Sequence, residues 1–148
     1  MNASGVAAGQ ASRRTRHTSG LRGLAVTGFI AALAAMVATT LAAALAQAVG
    51  VDFEVPDGGE TIPLAGFAVV TGVFSVVGIV IAVALLRWSA RPAERFVQTA
   101  VTLTAISLVP PLLAKADTAT TTALLGLHLV AAAVMIPTLA RSLRTRTG

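Results

Sequence analysis

Four long apolar stretches, separated by short polar segments, dominate the pattern of this chain. Each stretch is close to or longer than the roughly 20 apolar residues that a helix needs to cross the hydrocarbon core of a bilayer. Apolar residues occur on every face of these stretches, whereas the helices of a soluble bundle have a polar outer face. The pattern predicts an all-α, integral membrane four-helix bundle with short loops, with helices at about residues 23–49, 64–87, 93–114 and 119–140.

The positive charges predict how this bundle is oriented. All ten arginines lie in the amino-terminal segment, in the loop between the second and third helices, or near the carboxyl end, and the other two loops contain only Lys115. Cytoplasmic segments are enriched in Lys and Arg, so we expect both termini in the cytoplasm. Residues 1–20 are expected to be a disordered cytoplasmic tail, 21–142 the membrane domain and 143–148 a second tail.

The first apolar stretch has some features of a secretory signal. Arg13 and Arg14 precede it, and Ala46-Gln47-Ala48 has the small residues of a cleavage site. The stretch is much longer than the roughly 7–15 apolar residues of a signal core. We therefore favour an uncleaved first transmembrane helix over a cleaved signal.

Composition narrows the compartment and the partners. Of 148 residues, 55% are hydrophobic and 11% charged, and the abundant Ala, Gly, Val and Arg indicate a bacterium with a GC-rich genome. The net charge of +5 comes from short arginine clusters beside the apolar stretches, which suit a membrane surface better than nucleic acid. The absence of cysteine excludes disulfides and thiolate chemistry. We expect a bacterial cytoplasmic (inner) membrane protein with the lipid bilayer as its partner, no nucleic acid and no cofactor.

The second helix carries a stripe of small residues. Thr71, Ser75, Gly78 and Ala82 recur at positions i, i+4, i+7 and i+11 and share one face. In lipid, helices associate through close contact of small residues. This helix-packing face is expected to contact another helix, either in the same chain or in a second copy.

The third and fourth helices contain the candidate intramembrane polar site. His128 is the one ionisable residue predicted near the middle of the membrane, where such residues often serve function. Pro110 and Pro111 should interrupt the third helix near Ser107 and leave backbone carbonyls without donors. The alternative is that His128 is a neutral, structural hydrogen-bonding residue. Asp117 or Thr118 is expected to cap the fourth helix.

The first outer loop contains four carboxylates within nine residues, Asp52, Glu54, Asp57 and Glu60. Clustered carboxylates can bind divalent cations, but this spacing matches no known calcium loop. We therefore interpret the segment as a solvated acidic loop and predict no metal site. The residues Val51–Val55 alternate as a short strand does, and Pro56–Gly59 is typical of a turn.

From this loop to the carboxyl end, the chain resembles an uncharacterised family of small four-pass bacterial membrane proteins, a domain of unknown function. The resemblance covers about the last two thirds of the chain. It rests on Val55-Pro56, Gly58-Gly59, Ile62-Pro63, Arg91-Pro92, Thr104-Ala105-Ile106-Ser107-Leu108-Val109-Pro110, His128-Leu129-Val130-Ala131-Ala132 and Ile136-Pro137. The family implies the same architecture and supplies no catalytic residue.

Three functions remain open. The leading hypothesis is a structural or accessory membrane protein that is not an enzyme and acts through helix packing, as a homo-oligomer or with a membrane-protein partner. The second is a small permease or channel-like oligomer that uses His128 and the Pro110–Pro111 break. The third is a membrane enzyme, whose only conceivable base and nucleophile are His128 and Ser107, without a third group to orient them.

Overall fold

The computed structural model describes residues 3–54 and 59–147, with side chains of the first helix described from Thr18 onward. The helices are α1 (Ala3–Ala48), α2 (Leu64–Trp88), α3 (Pro92–Ser107), α4 (Val109–Leu113) and α5 (Thr118–Thr147). Four segments are long and apolar enough to cross a membrane, namely Thr18–Ala48, Leu64–Trp88, Pro92–Leu113 and Thr118–Thr147. The predicted all-α architecture with four membrane helices is confirmed, and α3 and α4 together form the third span.

The four spans are arranged as a four-cornered bundle. Helix α1 packs against α2 and α5, and α3 packs against the same two helices from the other side. Within the described residues, α1 and α3 do not contact each other, so they occupy opposite corners of the bundle. Any physical coupling between α1 and α3 therefore passes through α2 or α5.

Both ends of the chain are more helical than the sequence suggested. Helix α1 begins at Ala3, where a disordered tail over residues 1–20 was expected, and Ala and Arg, which are frequent there, both favour helix. Helix α5 continues to Thr147 through most of the segment 143–148 that was expected to be a tail. Ser142 and Leu143 are buried, and the arginines of the last turn interact favourably with the helix dipole.

The loop between α1 and α2 folds back on itself. The Val51 N–H donates to the carbonyl of Ala46 at 3.0 Å, and the Ile62 N–H donates to the carbonyl of Phe53 at 3.1 Å. The strand expected at Val51–Val55 is reduced, over the residues described, to a single antiparallel bridge. The expected turn at Pro56–Gly59 falls outside the described residues except for Gly59, whose φ is +63°.

Phe53 anchors this loop to the bundle. Its side chain is fully buried, and its ring centroid lies 4.9 Å from that of Phe67 with the planes tilted by 60°. Ala43 and Leu127 complete the same apolar cluster, which joins α1, α2 and α5. The φ of Phe53 is +50°, a conformation that bulky residues rarely adopt. Burial of the aromatic ring offsets this local strain.

Candidate functional site

The predicted packing face of α2 lies mainly inside the bundle. Thr71, Ser75 and Ala82 are buried, and Gly78 is half-buried, with no atom within 4 Å of the position that a Cβ would take. Next to this face, the Sδ of Met36 on α1 lies 3.2 Å from the position of a Cβ on Gly72. Three of the four residues of this face are therefore buried within the chain.

Helix α1 presents its small residues inward. Its buried side consists of Leu24, Gly28, Ala31, Ala32, Ala35, Thr39 and Ala43. Its exposed side carries larger residues, namely Val26, Phe29, Ile30, Leu33, Val37, Leu41 and Leu45. A Cβ on Gly28 would lie 2.7 Å from Cγ1 of Ile79, so the backbone of α1 closely approaches α2 at this point. This inward face was not predicted from the sequence, although the large residues of the opposite face recur at helical spacing.

His128 is half-buried on α5, ten residues after the helix begins. Its Nδ1 lies 2.8 Å from the carbonyl oxygen of Leu124 in the same helix. Because a carbonyl can only accept a hydrogen bond, Nδ1 is the donor in this contact. The imidazole thus forms its hydrogen bond within its own helix.

The predicted interruption of the third span is present at Leu108, between α3 and α4. Pro110 and Pro111 have no N–H to donate to the carbonyls one turn before them. Ser107 Oγ donates to the carbonyl of Thr104 at 2.7 Å, and the Leu108 N–H also reaches that carbonyl, at 3.1 Å. Pro111 is buried and Pro110 exposed.

Ser107 and His128 are not brought together by any hydrogen bond in the described parts of the two helices. At about 1.5 Å per residue, Ser107 lies about 9 Å from the end of the third span and His128 about 15 Å from the start of α5.

The acidic residues of the loop between α1 and α2 are exposed where the loop is described. Asp52, Glu54 and Glu60 are exposed, and Asp57 lies outside the described residues. Among the side chains described, from residue 18 to 54 and from 59 to 147, no three His, Asp or Glu residues are grouped as a metal site requires. In the loop between α4 and α5, Asp117 Oδ1 accepts the Thr120 N–H at 2.8 Å, so Asp117 is the cap of α5. This bond lowers the pKa of the Asp117 carboxyl.

Helix α3 carries a polar stripe that was not predicted from the sequence. Gln98 and Thr102 are exposed on the outward side of this helix, and Ala105 continues the same face. No hydrogen bond within the described residues involves either polar side chain. The sequence contains two indications of this stripe. Gln98, Thr102 and Ala105 have the spacing i, i+4, i+7, and the third span is the least apolar of the four.

The arginine-rich end of the bundle also contains a contact that the sequence did not indicate. Arg146 Nε donates to the carbonyl of Gly20 at 2.9 Å, and its Nη1 donates to the carbonyl and hydroxyl oxygens of Ser142. A Cβ on Gly23 would lie 2.8 Å from Nη2 of Arg146, so this glycine makes room for the guanidinium. The contact joins the start of the first span to the end of α5.

Four apolar spans, small residues packed inside and large apolar residues outside define a four-span integral membrane protein. A family model matches residues 19–145, almost the whole chain, and describes a family of unknown function, DUF6069. The chain belongs to this family. The comparisons found no curated protein and no solved structure that matches the chain.

Proposed function

We propose that this protein is a non-enzymatic accessory protein of the bacterial cytoplasmic membrane, with both termini in the cytoplasm, that self-associates through α3. The observation that carries the proposal is the outward polar stripe of α3, defined as Gln98, Thr102 and Ala105. The proposed orientation is supported by the arginines, which occur at one end of the bundle while Lys115 lies at the other.

The stripe differs from three other hydroxyl-bearing positions of the spans, although the buried hydroxyl of Thr39 also has no hydrogen-bond partner. Thr27, Thr40 and Thr138 each donate to the carbonyl one turn earlier, at 2.6 to 2.9 Å, which satisfies the hydroxyl in apolar surroundings. Thr102 and the Gln98 amide form no such bond within the described chain. A polar group without a partner is unfavourable in lipid, and an interhelical hydrogen bond there contributes about 0.6–2 kcal/mol.

A second copy of the chain is the partner that this stripe fits best. Two copies inserted in the same direction are related by a two-fold axis along the membrane normal, so equivalent residues of α3 face each other at the same depth. The Gln98 amide has both donors and an acceptor and can pair with its counterpart. Ala105 allows the two backbones to approach closely.

Self-association along the α2 face has less support, because Thr71, Ser75 and Ala82 are buried within the chain. A non-enzymatic role is supported by the polar groups of the interior. His128 is bonded to Leu124 and Ser107 to Thr104, each within its own helix, rather than to each other.

Cysteine crosslinking in proteoliposomes of the purified protein tests this proposal. The chain has no cysteine, so any disulfide formed by the Thr102→Cys variant joins position 102 of two copies. We expect Thr102→Cys to form a disulfide-linked dimer upon mild oxidation, because a disulfide requires the two Cβ atoms to lie about 3.5–4.5 Å apart. Val77→Cys is the control, since Val77 is 45% exposed on α2. Thr102 and Val77 lie about 15 and 17 Å from the arginine-rich helix ends, so their depths match.

The dimer should also weaken in Gln98→Leu by about 1 kcal/mol, measured by energy transfer between labelled copies in bilayers. Equal crosslinking of Thr102→Cys and Val77→Cys in folded protein would exclude a dimer through α3. Unchanged association of Gln98→Leu would show that the amide does not contribute to the interface.

A further inference from the structure

The turn between α2 and α3 forms a concave, basic surface at the end of the spans. Two adjoining depressions, each of about 360 Å³, share Ser89, Ala90 and Arg95. The first is completed by Ala84, Leu85 and Trp88 from the end of α2. The second is completed by Arg91, Glu94 and Gln98 from the start of α3. We call these two depressions together the α2–α3 groove.

The groove has an excess of positive charge. Within the described residues, the one ion pair joins Arg91 to Glu94 at 3.5 Å, and both side chains are largely exposed. Arg95 has no carboxylate partner there, although it lines both depressions. Arg87 lines neither depression but lies beside the first, with its Cζ 5.9 Å from the centroid of the Trp88 ring. An anion entering the groove would therefore find at least one guanidinium free to bind it.

The groove is also amphipathic. Ala84 and Leu85 form an apolar wall that continues the membrane-spanning part of α2, while Arg95 and Ser89 form a polar rim. Trp88, 78% exposed, lies where the apolar wall meets the rim. Indole rings favour the level of the headgroups, because one edge is polar and the remainder apolar. An apolar wall below a cationic rim matches a lipid with a negatively charged headgroup, and a soluble anion would use only the rim.

We propose that the α2–α3 groove binds an anionic phospholipid, with its phosphate at Arg95 and its upper acyl chain along Ala84 and Leu85. Basic pockets between membrane helices bind such headgroups through charge and hydrogen bonds. Arg91 is already paired with Glu94, so Arg95 is the main determinant of binding. The groove shares Gln98 with the stripe proposed for self-association, but Arg95, Ala84 and Leu85, which carry this proposal, lie outside that stripe, and lipid binding does not require self-association.

Trp88 is the only tryptophan of the chain and therefore reports directly on this site. The experiment measures quenching of Trp88 fluorescence by phospholipids brominated in the upper acyl chain, with phosphatidylglycerol and phosphatidylcholine at equal bulk fractions. An arginine near an anionic surface contributes about a five-fold change in affinity, so we expect phosphatidylglycerol to be preferred by about five-fold or more. Arg95→Gln should lower this preference about five-fold.

Arg141→Gln is the matched control, because Arg141 is exposed at the same end of the bundle but does not line the groove. Its preference should equal that of the unmodified protein. An equal loss in Arg95→Gln and Arg141→Gln would overturn the proposal, since it indicates general attraction to the charged surface. Displacement of the brominated lipid by soluble glycerol phosphate at millimolar concentration would also overturn it, because the groove would then bind a soluble anion. Arg95→Lys, which keeps the charge, should retain most of the preference and shows that the fold tolerates substitution there.

Discussion

The contact between Gly28 and Ile79 allows a quantitative test of how α1 and α2 pack. In Gly28→Ala, the new Cβ would lie 2.7, 3.1 and 3.3 Å from three carbons of the Ile79 side chain. Ordinary carbon contacts are about 3.5–4.0 Å, so the two helices must separate by up to about 1 Å or the side chain must leave its rotamer. Ile79 is β-branched and has few alternative rotamers in a helix.

Overpacking of this kind costs about 1–3 kcal/mol, and the helix preference of alanine over glycine returns up to about 1 kcal/mol. We therefore expect Gly28→Ala to lower the free energy of unfolding by up to about 2 kcal/mol. Ile79→Ala removes all three clashing carbons. In the double variant the alanine at position 28 is accommodated, so a double-mutant cycle should show a coupling of about 1–2 kcal/mol in the favourable direction.

The assay is reversible unfolding by sodium dodecyl sulfate in mixed micelles, followed by the far-ultraviolet circular dichroism of the helices. Gly78→Ala is the control, since no atom lies within 4 Å of its Cβ position, and it should leave stability unchanged or raise it by up to about 1 kcal/mol. A coupling smaller than about 0.3–0.5 kcal/mol would mean that residues 28 and 79 act independently. The close approach of α1 and α2 at this level would then be wrong.

Two further predictions concern the acidic-loop end of the bundle. Phe53→Ala should lower the free energy of unfolding by about 3–5 kcal/mol, because it empties a fully buried site. Phe74 is 65% exposed on α2, so the control Phe74→Ala should change the free energy of unfolding by less than about 1 kcal/mol. Equal effects of the two substitutions in the same unfolding assay would contradict this prediction. Asp117→Asn should remove part of the pH dependence of the free energy of unfolding. The hydrogen bond from Thr120 lowers the pKa of the Asp117 carboxyl. The stabilisation by Asp117 is therefore complete above roughly pH 4 and declines as the pH falls through the lowered pKa. The difference in stability between wild type and Asp117→Asn, measured from about pH 6 to pH 2.5, should shrink at the acidic end, and a constant difference would exclude the cap as its cause.

The spans were predictable because the requirement for about 20 apolar residues is strong and local. Helix α2 was expected at 64–87 and is found at Leu64–Trp88, and the interruption caused by Pro110 and Pro111 is found at Leu108. The tail over residues 1–20 was expected to be disordered because it has no apolar periodicity. That criterion overlooks helix propensity, which alanine and arginine carry without any periodic pattern.

The packing partners were harder to predict. In α1 almost every face contains alanine, so the inward face cannot be recognised from small residues alone. The larger residues, Phe29 and Leu33 among them, identify the outward face, because bulky apolar side chains are as well solvated by lipid as by protein. The contact of Arg146 with Gly20 joins residues 126 positions apart, and no local pattern encodes it.

The reciprocal contacts between α1 and α2 have a consequence for movement. Gly28 of α1 receives Ile79, and Gly72 of α2 receives Met36, so each helix carries one recess and one projecting side chain. Sliding either helix by one turn, about 5.4 Å, would drive both projections against residues that have side chains. Helices α1 and α2 should therefore move together as a rigid unit. The interruption of the third span at Leu108 is the position at which the bundle can bend while these contacts between α1 and α2 are kept.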